Sequence, residues 1–168
     1  MSQSRSILFF IVVFLLQLAI SNYLHLGPWI TVSLIPFLIL QIPLQRPVHL
    51  VMLSAFGLGL LLDWLSAGVL GLNAFAAVMT AAPRWILYRL LVNDERQDAL
   101  WIPLLRSTGL VKYLRYLSVL TAIYLASFIL LDCVSVRPVG FILVKFVVST
   151  LVSTLLGLLL AYAFQRRS

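Results

Sequence analysis

Apolar residues in this chain come in long unbroken runs rather than in alternation with polar ones. The runs are Ile7–Leu24, Pro28–Pro43, Val48–Ser66, Val69 to Pro83 with an amphipathic continuation to Val92, Tyr113–Val134 and Val139–Phe164. A helix crossing the hydrocarbon core of a bilayer needs about 20 apolar residues, with a range of about 17–25. Runs of this length without a two-residue period predict helices rather than barrel strands. The second run is short for a span and would suit a locally thinned bilayer. Pro36 and Pro83 are expected to bend their helices. The pattern therefore predicts an all-α membrane protein, a single integral domain over residues 1–168 built as a bundle of six transmembrane helices. Arg5 and Ala19-Ile20-Ser21 loosely imitate a cleaved signal peptide. The apolar stretch would be unusually long for one, so the first run is read as a span.

Composition strengthens this picture. The 168 residues are 62% hydrophobic and 10% charged, with a mean hydropathy of +1.09. Soluble domains average about 45–50% apolar and about 25% charged. No loop is long enough to build a separate soluble core. The formal charge of +7 is scattered along helix ends and not concentrated on one element, which argues against nucleic-acid binding.

The charges also set an orientation. With the N-terminus inside, the cytoplasmic side holds Arg5, Arg46, Arg84, Arg89, Arg96, Arg106, Lys112, Arg115, Arg166 and Arg167, ten of the twelve Lys and Arg. Arg137 falls in an outer loop and Lys145 within the sixth helix. The positive-inside rule then places both termini in the cytoplasm. The largest connection, Asn93–Lys112, lies on the same side. It opens with the charged turn Asn93–Asp98 and continues as Leu100-Trp101-Ile102-Pro103-Leu104-Leu105, a stretch suited to lying in the membrane interface. It reads either as a docking surface for a cytoplasmic partner or as a solvated turn with an anchor.

Little in the sequence points to catalysis. Cys133 is the only cysteine, so no intramolecular disulfide is possible. With His25 and His49 far apart, a zinc site of about four ligands is not expected, and no cofactor is expected either. The two histidines fall on opposite sides of the membrane, and no nucleophile, base and orienting group converge. The reading is non-enzymatic.

Two stripes of small residues stand out instead. The third helix carries Val51, Ala55, Gly59 and Asp63 at four-residue spacing; the sixth carries Lys145, Ser149, Ser153, Gly157 and Ala161. Residues four apart share a helix face, and small residues let membrane helices approach closely. Set antiparallel, Gly59 falls opposite Ser149, Ala55 opposite Ser153 and Val51 opposite Gly157, with Asp63 opposite Lys145. Asp63 sits near the C-terminal end of its own helix and Lys145 near the N-terminal end of its own, so neither charge is favoured by its own dipole. An Asp63–Lys145 ion pair closing a helix 3–helix 6 seam is the leading expectation. Asp63 could instead bond to Asn73 beyond the Gly68–Gly71 turn, or carry a coupled proton or ion. Lys145 could instead pair with Asp132 or snorkel to the headgroups. Tyr116, Tyr124 and Ser127 on the fifth helix, and Gln17, Ser21 and Asn22 on the first, read as interhelical hydrogen-bonding residues.

The corner between the third and fourth helices carries a resemblance. The run Phe56-Gly57-Leu58-Gly59-Leu60-Leu61-Leu62-Asp63, followed by Gly71-Leu72-Asn73-Ala74, is similar to the bacterial rod shape-determining MreD family. In that family a glycine-bearing third helix ends at an acidic residue and a Gly-x-Asn/Arg-Ala-like turn opens the fourth. Pro28 through Pro43 and Arg46 resemble its second helix and short cytoplasmic turn. The resemblance implies a multi-pass protein of the bacterial cytoplasmic (inner) membrane, a non-enzymatic scaffold of the cell-elongation machinery. Its implied partners are an MreC-like bitopic protein and, through it, the MreB filament and the RodA–transpeptidase synthase. The family's architecture is similar to the S-component fold of vitamin importers. The alternatives left open are therefore a substrate-binding S component for a vitamin or metal, or a small ion-coupled transporter.

Overall fold

The computed structural model describes residues 3–23, 30–66, 69–92, 108–133 and 138–166. Seven helices are described: α1 (Gln3–Tyr23), α2 (Ile35–Leu40), α3 (Val48–Leu65), α4 (Leu72–Ala81), α5 (Arg84–Leu91), α6 (Leu110–Cys133) and α7 (Val139–Arg166). No strand occurs among the described residues. The charged turn Asn93–Asp98 and the interface stretch Leu100–Leu105 lie outside them, as do His25 and Arg137.

Three helical segments are long and apolar enough to cross a bilayer: Val48–Leu65, Leu110–Asp132 and Val139–Ala163. They correspond to the third, fifth and sixth predicted runs. Ile7–Tyr23 and Leu72–Ala81 are shorter apolar helices. The outward faces have the character of a lipid-facing surface. Ile11 and Leu15 on α1, Leu53 and Trp64 on α3, and Leu143, Leu151 and Leu155 on α7 are all exposed. Contiguous apolar surface on this scale is rare on soluble monomers and marks contact with a membrane or a partner.

Proline explains how the fourth run divides. Pro83 has no amide hydrogen to continue the ladder, so α4 ends at Ala81 and α5 starts at Arg84. The second run departs further from expectation. A helix over Pro28–Pro43 does not form. Residues 30–34 are non-helical, and only Ile35–Leu40 coils, with Pro36 in its first turn. Pro36 thus opens a helix, where the missing amide hydrogen is harmless, instead of bending one. All six residues of α2 are buried, and they contribute to both apolar clusters of the core. Phe37, Leu38 and Leu40 pack with Val13, Tyr113 and Leu117; Ile35 and Ile39 pack with Val51, Ala77 and Leu125. A short helix at the centre of the bundle therefore replaces the predicted spanning one.

Non-helical backbone in a buried setting must find its hydrogen bonds elsewhere. Three side chains supply them. The Thr31 amide donates to Ser149 Oγ (2.9 Å), the Ser33 amide to Ser153 Oγ (3.0 Å) and the Leu34 amide to Gln17 Oε1 (2.6 Å). Thr31 and Ser33, two residues apart in the non-helical segment, match Ser149 and Ser153, about one helical turn apart along α7. At the other end of α2, Arg84 is buried and its guanidinium donates to the carbonyls of Ile39 and Pro43. A cation there suits the negative end of a helix, and it adds a second donor to carbonyls that also accept the Ile42 and Arg46 amides. Tyr116 Oη in turn donates to the Arg84 carbonyl (3.1 Å), tying α5 to α6.

Replacing Gln17 by Met keeps the side-chain length but removes the acceptor. The buried Leu34 amide then loses its partner, and unfolding in detergent should show a loss of about 1–3 kcal/mol. Replacing Asn22, whose bond to the Leu65 carbonyl lies at the surface, should cost clearly less.

Candidate functional site

The α3–α4 corner concentrates the polar chemistry of the predicted motif. Gly59 brings the two helices into backbone contact: a Cβ placed on it would lie 2.4 Å from the Ala74 Cα and 2.6 Å from the Ala74 nitrogen. One turn further on, Asp63 is buried. The chain then reverses through Gly71, whose φ of 94° requires the left-handed conformation that glycine adopts freely. Gly71 is also the residue that precedes the first turn of α4, and it has no side chain with which to cap that helix.

Asp63 supplies the cap from the neighbouring helix. Its Oδ2 accepts the amides of Gly71 (2.9 Å) and Ala74 (3.2 Å). Its Oδ1 accepts both the Asn73 amide (3.1 Å) and the Asn73 side-chain Nδ2 (2.8 Å). Four donors fill the roughly four acceptor positions of a carboxylate. The charge also rests at the positive end of the α4 dipole. Asn73 extends the network, since its Oδ1 accepts the hydroxyl of the fully buried Tyr124 on α6. The Tyr124 ring stacks on Phe128, with centroids 6.3 Å apart. Three helices thus meet on one carboxylate and one amide.

This arrangement corrects the expected Asp63–Lys145 pair. Asp63 does sit at the unfavourable end of its own helix, but the N-terminus of α4 resolves this without a cation. Lys145 pairs instead with Asp132, Nζ to Oδ2 at 3.0 Å. The two residues lie 13 apart on consecutive helices, so the α6–α7 hairpin brings them together. Lys145 is largely buried, while the Asp132 side chain is 41% exposed.

The helix 3–helix 6 seam is corrected with it. Among the described residues, α3 packs chiefly on α4, and α7 on α6. Ala55 and Gly59 face α4 and its surroundings. Ser149 and Ser153 face the non-helical segment. A Cβ on Gly157 would meet Leu117 on α6 and Phe37 on α2. Gly57 has open space around its Cα and takes no part in the corner.

Of the predicted polar residues, Tyr116, Tyr124, Gln17 and Asn22 do bond between elements. Ser127 bonds back to Ile123 in its own helix. Arg84 reads in the sequence as one more inner-edge charge, and its burial against carbonyls was not foreseen. The one available signal was the proline-bounded second run, too short for a span and interrupted by Pro36. Among the described residues, no three of His, Cys, Asp and Glu gather into a cluster.

No protein-family model, curated protein or solved structure matches this chain.

The geometry separates two glycines, and it separates the Asp132–Lys145 pair from Asp63 and Lys145, which do not meet. Gly59→Ala should destabilise the protein by about 1–3 kcal/mol or more, since backbone atoms stand in the way. Gly57→Ala should be neutral or slightly stabilising because alanine favours helix. Thermal unfolding in detergent distinguishes them. A double-mutant cycle on Asp132 and Lys145 should show a coupling of about 0.5–3 kcal/mol, whereas Asp63 and Lys145 should be additive to within about 0.5 kcal/mol.

Proposed function

We propose that this chain is a non-enzymatic scaffold of the bacterial cytoplasmic membrane, acting in cell elongation in the manner of the MreD family that its α3–α4 corner resembles. The carrying observation is the convergence of that motif. Gly59, Asp63, Gly71, Asn73 and Ala74 form one hydrogen-bonded corner. Its carboxylate accepts four backbone and amide donors, which is about its full acceptor capacity. Such a site holds helices in place, which is what a scaffold requires.

In this reading the chain crosses the membrane six times, with both termini in the cytoplasm. The positive-inside distribution supports the orientation. The partners are the lipid bilayer itself and an MreC-like bitopic protein, which links to the MreB filament and the RodA–transpeptidase synthase.

One observation favours a second reading, a substrate-binding S component of a vitamin or metal importer, or a small ion-coupled transporter. Irregular backbone at membrane depth, as in residues 30–34, often lines a transported ligand's site. Here the amides of Thr31, Ser33 and Leu34 are already taken by side chains, which weighs toward the scaffold.

Depletion in a rod-shaped host should produce round cells, and a mild-detergent pull-down should recover an MreC-like protein. Loss of vitamin uptake with cell shape preserved would favour the importer instead.

A further inference from the structure

Where α2 gives way to α3, the chain encloses a cavity of about 230 Å³ lined by Ile42, Arg46, Leu50, Val51 and Ser54. Arg46, Leu50 and Ser54 are exposed, so the cavity is a groove open at the protein surface. It is smaller than the roughly 300–1,000 Å³ pockets that enclose drug-sized ligands.

The lining has two characters. Arg46 places a cation at one end, and among the described residues no carboxylate pairs with it. The α3 helix begins directly after Arg46 and Pro47, with no side chain capping its first amides, which adds partial positive charge. Ile42, Leu50 and Val51 make the rest apolar. Ser54 adds little polarity, because its hydroxyl is turned back onto the Leu50 carbonyl at 2.8 Å. The wall belongs to one of the three long apolar helices, and Leu53, Phe56 and Leu60 further along it are exposed. The groove therefore lies at the end of a membrane-crossing segment, at the level where headgroups meet hydrocarbon.

We propose that this groove holds one anionic phospholipid, its phosphate on Arg46 and an acyl chain along Ile42 and Leu50. Basic pockets at the ends of membrane helices recognise anionic headgroups in this way. A free phosphate would make no use of the apolar wall. A zwitterionic headgroup would carry its own cation against Arg46. The inference depends on the membrane location of α3 and not on the scaffold reading, so a cell-shape result does not bear on it.

The test is native mass spectrometry of the full chain in mild detergent, offered equal amounts of phosphatidylglycerol and phosphatidylcholine. The expected result is retention of one phosphatidylglycerol in preference to phosphatidylcholine. Arg46→Gln should weaken that retention about five-fold without changing the unfolding temperature, since the side chain is exposed. Leu50→Trp should weaken it by filling the groove. Arg89→Gln, which removes an exposed arginine lying over the Trp85 ring, should leave it unchanged. Equal retention of the two lipids, equal losses in the Arg46 and Arg89 variants, or displacement of the lipid by excess inorganic phosphate would each overturn the proposal.

Discussion

Hydrocarbon offers no hydrogen bonds, so every buried amide and carbonyl in this chain must be satisfied by the protein itself. Most are satisfied within helices. The exceptions organise the rest of the structure. Residues 30–34 leave the helical ladder, and Gln17, Ser149 and Ser153 take up the amides of Leu34, Thr31 and Ser33. Past the end of α2 the carbonyls of Ile39 and Pro43 keep only turn-type amide bonds, and Arg84 adds a charged donor to both. The start of α4 leaves amides, and Asp63 takes them. Five buried polar residues, Gln17, Asp63, Arg84, Ser149 and Ser153, serve these three breaks in the backbone ladder.

The same principle accounts for the polar composition of so apolar a chain. A buried charge with a single counter-ion still leaves lone pairs or protons unmet. Asp63 and Arg84 avoid this by meeting several backbone groups at once. Asp132 and Lys145, by contrast, form a pair of which one member reaches the surface. Asp63 and Arg84 therefore act as backbone caps, whereas buried Lys145 meets a carboxylate that reaches the surface.

Much of the fold was legible in the sequence, for reasons specific to each element. The runs that became α3, α6 and α7 are continuous, apolar and long, and length alone identifies such helices. Pro83 reads as a bend in one long helix, and the structure goes further and ends α4 there, because the missing amide interrupts the ladder. Residues 30–40 were not legible. When nearly every position is apolar and buried, periodicity cannot separate helix from extended chain. The small-residue stripes gave the packing faces correctly but not their partners, because a four-residue spacing states which side is thin and not what lies against it. Asp63 was singled out for the right reason, a charge at the wrong end of its helix. Its backbone partners are not legible, because amides carry no mark in the sequence while a cation of opposite sign does. The bond to Asn73 stood among the alternatives; the three backbone amides could only come from the fold.

The alignment of Ser149 and Ser153 with Thr31 and Ser33 also sets a schedule. The two ends of these bonds are 118 and 120 residues apart in the chain. At ribosomal rates of about 5–20 residues per second, roughly 6–24 s separate their synthesis. During that interval the irregular segment lacks its final acceptors. The N-terminal half therefore cannot complete its core until the last helix has entered the membrane, and a chain truncated before α7 would present open amides to the quality-control proteases of the bilayer.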